Sequence, residues 1–150
     1  MKNLKIYLII LVGALVLSSC STDKTIIAKG VNFDKYAYAS LTQTRNSVGT
    51  VNDIEIEPGI YEALEATRLQ MVGDHRINDL TSEQKEKLVL VKYSATSSVE
   101  ESVLSVIFEN YMTGKTIASC RSSNSTAWTR QKDVDKAIRK ISGRIAKIWK

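Results

Sequence analysis

Three side chains are reactive enough, and rare enough in this chain, to be read one at a time: the thiols of Cys20 and Cys120 and the imidazole of His75. A thiol becomes a nucleophile or redox centre when a nearby base or positive charge draws it into the thiolate form. Cys120 has neither a histidine nor a second thiol near it in sequence, so its expected role is that of a small apolar residue on a strand face. His75 stands in Gly73-Asp74-His75-Arg76, with Asp74 and Asp79 as the nearest carboxylates. A metal site needs several ligands at defined spacing, and one histidine with two loop carboxylates falls short, so no metal and no other cofactor is expected. Serines and threonines crowd 94–102 and 122–129. With His75 as the single base of its kind a Ser-His-Asp arrangement stays open, although nothing resembles a nucleophile elbow. Thr113-Gly114-Lys115 has the ending of a phosphate-binding loop, but it lacks the upstream glycine and belongs to a turn, not to the opening of a helix. A small hydrolase or thiol-dependent enzyme using Cys120 or His75 is the alternative reading. The leading one is a protein that binds and does not catalyse.

Cys20 differs from the other two groups in what precedes it. Lys2 and Lys5 supply a basic start, Ile6 to Leu17 an apolar run, and Ser18-Ser19 two small residues before the thiol. This arrangement resembles a bacterial lipoprotein signal, which implies that the Cys20 thiol takes a diacylglyceryl group and that residues 1–19 are removed. The apolar run is too short to cross a bilayer, which takes about 20 residues as a helix, and no stop-transfer segment follows. Acyl chains each add about 0.8 kcal/mol of membrane affinity per buried CH₂, so several chains give stable attachment. The residue after Cys20 is Ser21, not the aspartate that resembles an inner-membrane retention signal. The expected location is therefore the outer membrane, facing the periplasm, or the outer face of the cell membrane in a Gram-positive host.

Residues 20–30 are expected to be the lipidated tether and 31–150 a single domain, long enough to bury a real core. The formal charge of +5 includes Lys2 and Lys5. The mature chain is therefore only weakly basic, which argues against a nucleic-acid partner. If acylation uses Cys20, Cys120 has no partner for an internal disulfide.

The elements that must position these residues follow from periodicity. Residues 36–42 alternate, with Tyr36, Tyr38, Ser40 and Thr42 on one side and Ala37, Ala39 and Leu41 on the other, as in a strand. A turn-rich loop is expected at 46–52. Pro58 suits the first turn of a helix. Ile60, Ala63, Leu64, Thr67 and Met71 extend that helix to Gly73. A short strand around Arg76-Ile77 and a turn of helix around Ser82 to Lys85 are both compatible with 74–87. Leu88 to Val91 is apolar on both faces, as a central strand would be. Val103 to Phe108 and Lys115 to Arg121 read as two more strands joined by a turn at Asn110 to Gly114, and Ser122 to Thr126 as a polar loop. Val134, Ala137, Ile138, Ile141, Ile145, Ile148 and Trp149 mark one face of a long amphipathic helix. The fold class is α/β in the α+β sense: a two-layer sandwich with a mostly antiparallel sheet of four or five strands and two helices.

Asn32-Phe33-Asp34-Lys35-Tyr36-Ala37-Tyr38-Ala39, the LVLVKYSA segment at 88–95 and the VIFENYMTGKTIAS hairpin at 106–119 together resemble a group of small envelope lipoproteins of unknown function. In that group an F-x-x-Y strand opens the domain and a D-x-x-T-G-K hairpin precedes the last helix. Phe33 and Tyr36 fit the first motif and Thr113-Gly114-Lys115 the second, while its acidic position falls on Asn110. The order of elements is also similar to the curli-secretion lipoprotein and to TolB-like amino-terminal domains. The resemblance implies a fold and an accessory subunit of an envelope assembly, with an envelope protein as partner.

The last helix is strongly basic. Lys132, Lys136, Arg139, Lys140, Arg144 and Lys147 could meet an anionic surface, or could simply solvate the face opposite the apolar stripe. Tyr36 and Tyr38 could likewise form a binding patch or cover a sheet face with their hydroxyls in water.

Overall fold

The computed structural model describes residues 23–43, 53–97, 101–124 and 130–150. The signal segment, Cys20 and the loop expected at 46–52 lie outside these residues. Six strands form one mixed sheet: β1 (Asp23–Ile27), β2 (Tyr38–Gln43), β3 (Gln70–Met71), β4 (Leu88–Ser97), β5 (Ser102–Asn110) and β6 (Thr116–Asn124). Their order across the sheet is β1-β6-β5-β4-β2-β3. The β4-β5-β6 meander and the β1-β6 pair are antiparallel, whereas β2 runs parallel to both of its neighbours. Two helices, α1 (Asp53–Glu65) and α3 (Arg130–Ile148), pack against each other, and α3 lies over β5 and β6. A shorter α2 (Ser82–Glu86) opens with a capping box in which Thr81 and Gln84 bond each other's backbone N–H groups.

The core lies between the sheet and the α1/α3 layer. On β5 every second residue from Ser102 to Asn110 is buried, so Leu104, Val106 and Phe108 face the helices. Register places Val91, Tyr93 and Ala95 of β4 beside Phe108, Val106 and Leu104. Val134, Ala137, Ile141 and Ile145 close the layer from α3, as the sequence stripe predicts. Leu88, Val89 and Val91 are buried in β4, which sits between β5 and β2. The turn at the β5-β6 junction holds Gly114 at φ 63°, a conformation that favours glycine.

Six expectations need correction. Residues 23–27, expected in the tether, form edge strand β1, because their backbone pairs with β6 and Asp23 is anchored by side chains. With β3 added as well, the sheet has six strands, not four or five. Helix α1 begins by Asp53, so Pro58 lies inside it and not in its first turn. The same helix ends at Glu65, not near Gly73: the Thr67 hydroxyl bonds the Leu64 carbonyl, and the chain turns into β3. Around Arg76-Ile77 the chain forms a 3₁₀ turn, Asp74–Asp79, in place of a strand. Strand β6 also continues through Ser122, Ser123 and Asn124. Their polar side chains are buried but have partners, among them the Ser122–Asp23 and Asn124–Asp133 hydrogen bonds.

Candidate functional site

The two motifs, far apart in sequence, meet in space. Asn32 caps the 3₁₀ turn Phe33–Lys35, and its side chain accepts from the Asp34 N–H. The turn sends Phe33 and Tyr36 inward, where both rings meet Trp149 edge-on, at centroid distances of 5.0 and 6.0 Å. Phe108 adds a tilted contact to the same indole at 5.5 Å. Arg68 holds the turn from outside by donating to the Phe33 and Tyr36 carbonyls. The Asn110 side-chain amide donates to the Tyr36 hydroxyl at 3.1 Å. Its oxygen accepts from the Thr113 N–H and hydroxyl at 2.8 and 2.9 Å. These side chains are therefore structural: they clip the hairpin to the first turn. Between turn and hairpin runs a cleft with one lobe of about 620 Å³ and another of about 360 Å³, which share Lys35, Asn110 and Thr113. The smaller lobe is lined by Lys29, Lys35 and Lys115 and by no carboxylate.

The reactive groups singled out in sequence do not converge. Cys120 is only 1% exposed, on the helix-facing side of β6. Burial pushes its thiol up, and this outweighs the opposing effects of the Thr25 hydroxyl and the Arg144 charge. A protonated, enclosed thiol is a poor nucleophile. His75 is exposed in the 3₁₀ turn, where its ring faces the Gly73 backbone. Neighbouring Asp74 accepts from Ser40, and Asp79 pairs loosely with Arg76. Among the described residues no group of three or more His, Cys, Asp or Glu side chains could hold a metal ion. Neither a metal-based nor a thiol-based catalytic centre is formed by them.

The basic helix divides in two. Lys140 and Arg144 turn to β1 and pair with Asp23 at 3.2 and 3.7 Å, and Arg144 also donates to the Thr25 hydroxyl at 2.7 Å. Burial would raise the Asp23 carboxyl. The hydrogen bonds from Ser122 and Lys140 and the charges of Lys140 and Arg144 outweigh it and hold the group below its ordinary value. Two of the cations expected at an anionic surface thus fasten the edge strand. Lys132, Lys136, Arg139 and Lys147 remain exposed on α3. Between β1 and α3 lies a groove of about 450 Å³, with Arg139, Lys140, Arg144 and Lys147 along it and Asp23 as its one acid. Sequence reasoning missed this clamp because Asp23 fell in the supposed tether.

The chain thus belongs to the two-layer α+β class with a mixed, mostly antiparallel six-stranded sheet. No protein-family model matches it, and no curated protein gives a significant sequence match. It does share its fold with the PelC dodecamer from Paraburkholderia phytofirmans. The TM-score is 0.55 at 13% identity, over 86% of this chain and 97% of that one. A second crystal form, of a point variant of that dodecamer, gives 0.54 at 13% identity. The LpoB C-terminal domain from Salmonella enterica is a looser match, with a TM-score of 0.44 at 17% identity over 66% of this chain. The fold likeness runs to PelC and not specifically to the curli-secretion or TolB-like domains.

Proposed function

We propose that this chain is a non-catalytic binding subunit of a bacterial envelope assembly, held at the membrane through acyl chains on Cys20. The observation that carries the reading is the likeness to PelC over almost the whole of that chain, because PelC is itself a dodecamer. The buried thiol and isolated histidine support it by removing the residues on which an enzyme would depend. The resemblance of the Phe33-x-x-Tyr36 and Thr113-Gly114-Lys115 motifs to envelope lipoproteins supports the compartment: the outer membrane facing the periplasm, or the outer face of a Gram-positive cell membrane. Kinship with the curli-secretion lipoprotein or TolB-like domains is a finer suggestion from the same motifs. The partner is an envelope protein, further copies of the chain, or both. Native mass spectrometry of the acylated protein, extracted in mild detergent, should give species well above the monomer mass. A monomer at every concentration, with no envelope protein cross-linked to it in intact cells, overturns the reading.

A further inference from the structure

Among the described residues strand β1 is an edge strand with β6 as its only neighbour, and it begins three residues after Cys20 in sequence. Three residues reach at most about 11 Å, so an anchor at Cys20 leaves β1 close to the bilayer. Helix α3 runs alongside β1: Lys140 and Arg144 meet Asp23, and Lys147 and Ile148 line the groove beside Ile27. This side presents apolar and cationic groups together. Ile27, which lines that groove, is 51% exposed; Ile26 is equally exposed but projects from the opposite face of the sheet, in register with Ser119. Lys136, Arg139 and Lys147 are exposed on the helix, whereas Lys24 and Arg121, in register with each other, project from the other face of the sheet. The groove's one acid, Asp23, is already paired with two cations.

Resting on the reading of Cys20 as the anchor, we propose that the side formed by β1 and the adjoining face of α3 lies on the membrane. Anionic phosphate headgroups would sit at Lys136, Arg139 and Lys147, with Ile27 in the interfacial layer. The acyl anchor alone leaves the domain free to rotate about its leash. A cationic side beside the anchor removes that freedom, because the exposed Ile27 gains from the interface and the cations from the headgroups. A second copy adding its own β1 to the open edge is the rival occupant.

The test uses the acylated full chain in vesicles of phosphatidylglycerol and phosphatidylethanolamine, and in vesicles of phosphatidylcholine alone. A fluorophore is placed on Ile27→Cys, or on Met112→Cys at the hairpin as a control; the buried Cys120 does not compete for label. Lipids with a nitroxide near the headgroup should quench the probe at 27 strongly in anionic vesicles and the probe at 112 little. Combined Lys136→Glu, Arg139→Glu and Lys147→Glu should remove at least half of that quenching, as should 0.5 M salt, since screening shortens the reach of exposed charges. These substitutions leave the Asp23 clamp in place, and the corresponding Gln variant serves if the Glu variant unfolds. Quenching at 27 that is absent, or equal on neutral vesicles and in the triple variant, overturns the proposal. So does shielding of the probe that needs no lipid and grows with protein concentration, which would mean a second copy covers β1. Intact mass of the same sample reports acylation separately: an unacylated chain refutes the anchor, whereas an acylated chain with an unquenched probe refutes only the orientation.

Discussion

Asn110 makes three hydrogen bonds with one side-chain amide, and their directions explain why this position can depart from the acidic residue of the hairpin motif it resembles. Its nitrogen donates to the Tyr36 hydroxyl and its oxygen accepts twice from Thr113. A carboxylate at 110 could keep both Thr113 bonds, and the Tyr36 hydroxyl need only turn its proton around to donate in place of accepting. Asn110→Asp should therefore shift stability by no more than about 1 kcal/mol. Asn110→Leu strips the partners from Thr113 and should cost about 1–3 kcal/mol. Urea denaturation of both variants decides this, and equal losses would mean that the tyrosine does not reverse its bond. The same scale holds a chemical prediction. Cys120 should react with a thiol reagent far more slowly in the folded protein than in denaturant, because the thiol is enclosed and its ionisation suppressed. Labelling at the rate of a free thiol would return the enzyme reading to contention. At this scale much was legible: the motif residues were picked out and Cys120 was placed on a strand face. What was not legible is that Tyr36 and Asn110 bond each other across 74 positions, since only the fold brings them together.

Among the elements, α1 and α3 are in tight contact at a glycine. A Cβ on Gly59 would lie 2.7 Å from Ile138 Cγ2, on a branched side chain that cannot swing away cheaply. Alanine normally favours a helix over glycine by about 1 kcal/mol. Gly59→Ala should nevertheless destabilise, because overpacking costs roughly 1–3 kcal/mol. Adding Ile138→Ala should recover part of the loss, and additive effects in that double-mutant cycle would deny the contact. Ile141 is fully buried in the same layer, so Ile141→Ala should cost about 2–5 kcal/mol. The periodicity of α3 announced that stripe directly, since Val134 to Ile145 repeat at helical spacing. Other elements gave no such signal. Strand β1 has four exposed residues in five, so no alternation marks it, and only its pairing with β6 and the Asp23 clamp make it a strand. Thr67 and Met71 happen to continue the spacing of α1, but they lie beyond its last residue. The clamp also sets a pH dependence. Asp23 has a lowered pKa in the folded chain, so its contribution is full above the ordinary carboxylate value, near pH 4, and fades as pH falls through the depressed one. Asp23→Asn should be less stable than wild type at neutral pH by about 1 kcal/mol, and the gap should close in acid. A gap that stays constant down to low pH would show that charge is not what holds β1.

For the whole molecule, the sheet is a beam with unlike ends. Strand β1 starts near the expected anchor and runs toward Gly30 and the hairpin, where the smaller cleft lobe carries Lys29, Lys35 and Lys115. That polarity depends on Cys20, which lies outside the described residues. Cys20 precedes β1 by three residues in sequence, so its loss should separate anchoring from folding. Cys20→Ala should leave the precursor uncleaved, at the full 150-residue mass, while the unfolding midpoint of the domain stays that of wild type. Inserting ten Gly/Ser residues after Thr22 should leave acylation and midpoint unchanged, but lengthen the tether to several times the three-residue reach. Intact-mass measurement on the membrane fraction, with thermal unfolding of the same samples, checks both variants. Wild-type mature protein found free in solution without acyl chains would refute the anchor. A lowered midpoint in Cys20→Ala would mean that the folded domain reaches further toward the amino terminus than Asp23.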